Sequence, residues 1–196
     1  MNITVYCGSS AGANPRFLEA ARELGSWIAA SGYALVYGGS SIGLMGAVSR
    51  AALDGGAVVH GVEPRFFIEA GVAQHDLTHL HVTETMAQRK AKMVELGDAF
   101  VALPGGVGTL EEISEIMSRI RLGRCSAPCC LLNIDGYYDA FEAFLRTMLG
   151  EGFIAPEDFE RFRFPCSVAE FAAIVDEQQA HPAAAHATAA ELAGRA

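Results

Sequence analysis

Lysine is almost missing from this chain of 196 residues: of 14 basic residues, only Lys90 and Lys92 are lysines and the rest are arginines. No Gly-Lys pair occurs, which excludes the Gly-Lys-Ser/Thr core of a P-loop. A pyridoxal Schiff base has just two positions to use. Positive charge is scarce as well, since 14 basic residues against 23 acidic ones give −9 and a pI near 5.1. Such a balance argues against non-specific binding to nucleic acid or to an anionic membrane. Any phosphate this protein holds is held by local geometry. No uninterrupted apolar stretch approaches the roughly 20 residues of a membrane span. The Met1 end lacks a basic segment followed by an apolar signal core. Cysteines are few and odd in number, five, with Cys129 and Cys130 adjacent inside an apolar run. That placement reads as buried strand, not as a disulfide framework. The expectation is a soluble, reduced, cytoplasmic protein without a nucleic-acid or membrane partner.

What is present is core material. Hydrophobic residues make up 51% and charged ones 19%, enough to exclude disorder over most of the length. Short apolar runs alternate with longer helical patterns. Strands are expected at residues 3–7, 34–37, 57–62, 80–82, 99–103 and 129–134. Helices are expected at residues 15–31, 43–53, 86–96, from the turn at 104–106 to 121, 138–149 and 168–178. Pro15 opens the first helix and Gly32 follows its end. Strand–helix alternation with almost wholly apolar strands predicts an α/β fold: a Rossmann-like, doubly wound parallel sheet with helices on both faces. One domain is expected over residues 1–179. Residues 180–196 hold nine alanines and make no broad apolar face, so they read as a poorly packed tail.

Ligands of parallel sheets bind beyond the carboxyl ends of the strands. Three such ends carry glycine turns here: CGSS at 7–10, GGSSIGLMG at 38–46 and PGGVGTLEE at 104–112. Small residues let backbone N–H groups approach an anion, and the following helix start adds its dipole, making a phosphate site without lysine. Neither long loop is a dinucleotide fingerprint. Thr109 and Glu112 fit a capping box, with Thr109 as N-cap. Alternatively, Glu112 stands at the mouth of the phosphate loop, where an acid acts on the sugar. Helix phase leaves Glu111 open for the same role. Arg89, Lys90 and Lys92 crowd near a helix start, against the helix dipole; they form either a solvated face or an anion contact. His75, His79 and His81 lack the acid or cysteine framework of a metal site, so no metal is expected. No G-x-S-x-G elbow is present.

Taken together, VYCGSS (5–10), LVYGG with GLMG (35–46), RKAKM (89–93), PGGVGTLEE (104–112), LLNIDGYYD (131–139) and GFI (152–154) resemble the LONELY GUY-type phosphoribohydrolases, once labelled lysine decarboxylase-like. The resemblance covers about residues 2–175. It implies cleavage of the N-glycosidic bond of cytokinin riboside 5′-monophosphates or AMP, giving free base and ribose 5-phosphate. It implies no cofactor and a homodimer with sites near its interface. It makes Arg89 and Glu112 the catalytic pair. Gly105, Gly106, Val107, Gly108, Thr109, Leu110 and Glu111 become substrate-binding, with Glu69 and Lys90 as further contacts. The chain departs from the common pattern at Ala87-Gln88, at Ser40-Ser41, at 118–123 and at Gly61-Val62-Glu63-Pro64, where Gly-Val-Ile-Pro is usual. Two rival functions follow from the same residues: a nucleotide-binding protein with little turnover, and a pyridoxal-dependent decarboxylase resting on Lys90 or Lys92. A dimer also suits the apolar Met86, Met93, Ile113, Ile116, Met117 and Ile120 if they exceed what one sheet face covers.

Overall fold

Seven apolar segments pair side by side, all parallel, in a computed structural model that describes residues 1–180. They are β1 (Asn2–Tyr6), β2 (Ala34–Tyr37), β3 (Val59–Pro64), β4 (His79–Thr83), β5 (Ala99–Ala102), β6 (Cys129–Leu131) and β7 (Phe162–Arg163). Between them run α1 (Pro15–Ala30), α2 (Gly43–Asp54), α3 (Arg65–Glu69), α4 (Met86–Leu96), α5 (Val107–Arg121), α6 (Asp139–Gly150) and α7 (Pro156–Phe159), and α8 (Val168–Ala180) ends the described chain. The expected tail, 180–196, lies outside the described residues apart from Ala180, the last residue of α8.

The order β4-β3-β2-β1-β5-β6-β7 makes the sheet doubly wound. The chain steps outward from β1 to β4, then returns to lay β5 on the other side of β1. A crevice opens where the winding reverses, beyond the carboxyl ends of β1 and β5. Both sheet faces are covered, which is why the strands are apolar at successive positions. Ile3, Val5, Leu35, Tyr37, Val101 and Cys130 face one core with α1, α2 and α8. Tyr6, Val36, Phe100, Ala102 and Cys129 face the other with α4, α5 and α6. The adjacent cysteines therefore point to opposite faces, and both are unpaired.

Local chemistry sets several boundaries. Asn14 caps α1 by accepting from the Arg16 N–H at 3.0 Å, with Pro15 as the first helical residue. The Thr85 hydroxyl caps α4 by accepting from the Gln88 N–H at 3.2 Å, and the Gln88 side chain reaches back to the Glu84 N–H at 2.9 Å. This reciprocal arrangement, close to a capping box, occurs one residue before Arg89. The expected box at Thr109 does not form, because Gly106 is the N-cap of α5 and Thr109 already lies inside the helix. The third strand runs two residues beyond its expected end: Glu63 and Pro64 pair with Val82 and Thr83 of β4. The sixth strand is shorter than expected and gives way to a 3-10 turn at Ile134–Gly136.

Apolar residues that would favour a dimer if they exceeded the core do not exceed it. Met93, Ile113, Ile116, Met117 and Ile120 are buried in the chain's own core, and of that group only Met86 is exposed.

Helices α1 and α2 meet closely at Gly25, where a Cβ would press on the Val48 carbonyl and come 2.9 Å from the Ala51 Cβ. Gly25→Ala is expected to destabilise the fold by about 1–3 kcal/mol through overpacking. Urea unfolding monitored by circular dichroism measures the loss, while the same change at Gly32, with open space around it, is limited to the strain of its positive φ.

Candidate active site

Three glycine turns converge at the crevice because their backbones are tied together. The Gly8 N–H donates to the Pro104 carbonyl at 3.1 Å, joining the β1 and β5 turns. The Leu44 N–H donates to the Gly8 carbonyl at 3.1 Å, joining the start of α2 to the first turn. Gly43, at φ 61°, lies so close to Ser9 that a Cβ there would strike the Ser9 backbone. From the far side the Tyr137 hydroxyl donates to the Gly105 carbonyl at 2.5 Å, and the Tyr138 hydroxyl donates to the Leu103 carbonyl at 2.7 Å. The LLNIDGYYD segment thus braces the PGG turn through its carbonyls. The first intrahelical bond of α5 runs from the Leu110 N–H to the Gly106 carbonyl. The N–H groups of Val107, Gly108 and Thr109 precede it and stand at the positive end of the helix dipole.

The turns open into a cleft of about 510 Å³. Gly8, Ser9 and residues 106–109 line it together with Arg89, Glu112, Glu63, Phe67, Ala70 and Val72. A wider hollow of about 780 Å³ lies between α1 and α2, but it is shallow, and none of the residues above except Gly43 reaches it.

Arg89 and Glu112 are both almost fully buried, 5% and 6% exposed. The Arg89 Nη1 donates to Glu112 Oε1 at 2.5 Å. The same guanidinium donates through Nε to the Val62 carbonyl at 3.0 Å and through Nη2 to the Gly38 carbonyl at 3.4 Å. It therefore spans the carboxyl ends of β2 and β3 and reaches across to α5. Gly38 leaves room for it, since a Cβ there would collide with the guanidinium. Burial pushes the Glu112 carboxyl above its ordinary value, while Arg89 opposes the shift.

Helix phase, open from sequence, is fixed here. Glu112 points inward. Glu111 stands at the cleft rim, with its side chain 61% exposed, and pairs with Lys90 Nζ at 2.6 Å. Lys90 also reaches Glu115 at 3.4 Å. Gly106, Val107, Gly108, Thr109, Glu111, Arg89 and Glu112 line the cleft, whereas Gly105, Leu110, Lys90 and Glu69 do not. Gly105 supports the turn from behind, with Thr109 packed where its Cβ would lie, and Leu110 packs on the core. Glu69 is exposed at the end of α3. Lys92 pairs with Glu95 at 2.7 Å on the helix surface. His60, His79 and His81 stack at the β3–β4 edge, and among the described residues no group of three or more His, Cys, Asp or Glu is arranged to hold a metal.

Sequence reasoning did not select Glu63. It is 2% exposed, lines the cleft, and its Oε2 has no hydrogen-bond partner. Burial pushes its carboxyl up to about 7, against the pull of Arg89. The available signal was an acid in place of the usual isoleucine before Pro64. Linkage fixes the consequence for stability. The unfolded chain releases this proton near the ordinary carboxyl value, while the folded chain keeps it until about pH 7. Stability contributed here therefore falls as pH rises between those values. Glu63→Gln, which cannot ionise, is expected to melt at a higher temperature than the parent at about pH 8, with the difference shrinking towards pH 4.5. Paired thermal melts check this, and equal differences at both pH values would contradict it.

The family model described as "Possible lysine decarboxylase" matches residues 45–175. A Rhodococcoides fascians protein named cytokinin riboside 5′-monophosphate phosphoribohydrolase is 47% identical over 156 residues, 79% of this chain and 79% of its own. The protein of that name from Oryza sativa subsp. japonica is 46% identical over 81% of this chain and 65% of its own. A namesake from Arabidopsis thaliana is 44% identical over 79% and 71%. Among solved structures, the Moco carrier protein of Chlamydomonas reinhardtii superposes with a TM-score of 0.69 at 23% identity, over 91% of this chain and 97% of that one. A molybdenum cofactor binding protein from Rippkaea orientalis superposes with a TM-score of 0.69 at 22% identity, over 90% and 95%. These last two share the fold. With two thirds of the chain matched by the family model and relatives this similar along most of their length, the chain belongs to the LONELY GUY-type family, which carries the older lysine decarboxylase label.

Proposed function

We propose that this protein hydrolyses the N-glycosidic bond of cytokinin riboside 5′-monophosphates or AMP, releasing the base and ribose 5-phosphate. The observation that carries this reading is the buried Arg89–Glu112 pair set beside the open N-terminus of α5 in one cleft. The names of relatives 44–47% identical support it. The decarboxylase reading needs a lysine in the cleft. Lys90 and Lys92 are both outside it and ion-paired on α4.

In this mechanism the phosphate sits on the N–H groups of residues 106–109, held by backbone donors and the helix dipole. The ribose then lies over Glu112. As the bond to the base breaks, positive charge develops on the sugar. The Glu112 carboxylate stabilises that charge and orients the attacking water. Arg89 keeps its proton at neutral pH, so its part is to hold Glu112 in position and favour its ionised form. Binding energy from the phosphate, remote from the reacting bond, supports distortion of the sugar.

A homodimer in a reducing cytoplasm completes the proposal. The family resemblance supports the dimer, as do Phe66, Phe67 and Met86, exposed apolar side chains near the cleft. The unpaired Cys7, Cys129 and Cys130 support a reducing compartment. Light scattering at micromolar concentration is expected to give twice the chain mass, and a monomer mass would remove the dimer from the reading.

AMP and cytokinin riboside monophosphates are expected to release base, and the matching nucleosides to remain intact. Chromatography of base and ribose 5-phosphate decides this, and equal turnover of adenosine would refute gating by the phosphate loop. Glu112→Gln is expected to lower kcat about a hundredfold, or about 2.7 kcal/mol, while Glu111→Gln changes it little. Gly106→Val places its side chain in open space, so the melting temperature is expected to hold while nucleotide binding fails.

A further inference from the structure

Glu63 is a buried acid lining the same cleft as the phosphate loop, and neither the ion pair nor the fold uses its free oxygen. Several contacts place it there. β3 carries it two residues past Gly61 in a strand paired with β4. Gly39, at φ 86°, provides its space, because a Cβ on Gly39 would meet Glu63 Oε2 and come 3.0 Å from its Cβ. The Gly39 carbonyl already accepts from the Gln74 N–H at 2.8 Å. Gln74 in turn is held by the Tyr37 and Ser49 hydroxyls, at 3.0 and 2.6 Å. The wall around Glu63 is thus fixed by hydrogen bonds that do not include Oε2. A buried oxygen left unsatisfied is costly, and the residue that carries it lines the cleft.

The position selects the part of the ligand. Strands β3 and β5 are separated by β2 and β1, three spacings or about 14 Å across the sheet. That matches the reach of an extended nucleoside monophosphate whose phosphate rests on the turns of β1 and β5. Arg89 lies between, bonded to Val62 and Gly38 on one side and Glu112 on the other. Phosphate loop, ion pair and Glu63 therefore occur in the order phosphate, sugar, base. Phe67, Ala70 and Val72, which line the same cleft, supply the apolar surface a flat heteroaromatic ring requires.

We propose that the Glu63 side chain is a base contact, its carboxylic acid donating a hydrogen bond to a ring nitrogen of a purine base, an assignment that rests on the nucleotide reading above. Burial supports the donor state, since it holds the carboxyl up to about 7. The acid accordingly selects bases that offer an unprotonated ring nitrogen on the edge facing β3.

Calorimetric titration of the full chain tests this with two ligands that share a phosphate and a ribose. AMP and ribose 5-phosphate are titrated in a Glu112→Gln background, to suppress turnover, with Glu63 intact, as Glu63→Gln and as Glu63→Met. The Met variant keeps the side-chain length and removes the donor. It is expected to weaken AMP about tenfold, the weight of one buried hydrogen bond, and to leave ribose 5-phosphate within about twofold. The Gln variant keeps a donor and is expected to stay near the parent for both ligands, so it decides the matter if Glu63→Met fails to fold: a loss of AMP affinity no greater than that of ribose 5-phosphate supports the contact, and a selective tenfold loss overturns it. Equal weakening of both ligands by Glu63→Met, or unchanged AMP affinity, also overturns it. A chain with both Glu112 and Glu63 intact that binds AMP without releasing adenine defeats the hydrolase reading alone, because the binding ratios still judge Glu63. Failure of the parent to bind AMP defeats both.

Discussion

The ion pair between Arg89 and Glu112 is the contact on which the geometry of the cleft depends. Two buried charges are expensive to desolvate, and removal of either partner from such a pair typically costs about 3–5 kcal/mol. The fold meets that cost with three further fixed points. Val62 and Gly38 carbonyls accept from the guanidinium Nε and Nη2, and the cap formed by Thr85 and Gln88 sets where α4 begins. Gly38 clears the space. Because these anchors come from the ends of β2 and β3 and from α4 and α5, the pair ties two neighbouring strands and two helices to the position of one carboxylate.

A protein with net charge −9 that is to hold a phosphate has a second constraint: it must attract an anion without a basic field. The architecture answers with backbone. The β1 and β5 turns are bonded to each other through Gly8 and Pro104, and the two tyrosines engage the Leu103 and Gly105 carbonyls from behind. With those carbonyls occupied, the N–H groups at the start of α5 are the polar groups the turn presents to the cleft. Lysine scarcity follows the same logic, since both lysines serve α4 surface pairs rather than the cleft.

The parts of this arrangement that were legible in the sequence are those governed by local rules. Helix α4 was readable to the residue, and β2 likewise, because apolar periodicity and flanking turn residues bound them sharply. The three glycine turns announced the site's edge of the sheet. What was not legible depends on tertiary contact. Glu63 and Pro64 read as the end of a strand, because a charge and a proline ordinarily stop one. Parallel pairing with β4 carries the strand through them, and with it the acid into the cleft. Thr109 and Glu112 had the spacing of a capping box, but Gly106 starts the helix three residues earlier, which turns Glu112 inward. Periodicity alone could not count how much apolar surface α4 and α5 bury, so Met93 and Ile116 looked available for a partner when the sheet already covers them. The two-residue β7 carries too little pattern to be seen.

The cleft sets two acids at different distances from one cation, and this decides what each can be. Burial pushes the Glu112 carboxyl up, and Arg89 opposes that shift both through a direct hydrogen bond and through space. Burial pushes Glu63 up too, to about 7, and there Arg89 opposes it only through space. Neighbouring acids whose environments part their protonation can divide a reaction between them. Glu112 in its ionised form suits the developing charge on a sugar. Glu63 in its neutral form suits a ring nitrogen, where electron density gathers as the bond to the sugar breaks. A hydrogen bond donated there strengthens as the base departs, so the same contact that selects the base also favours its release.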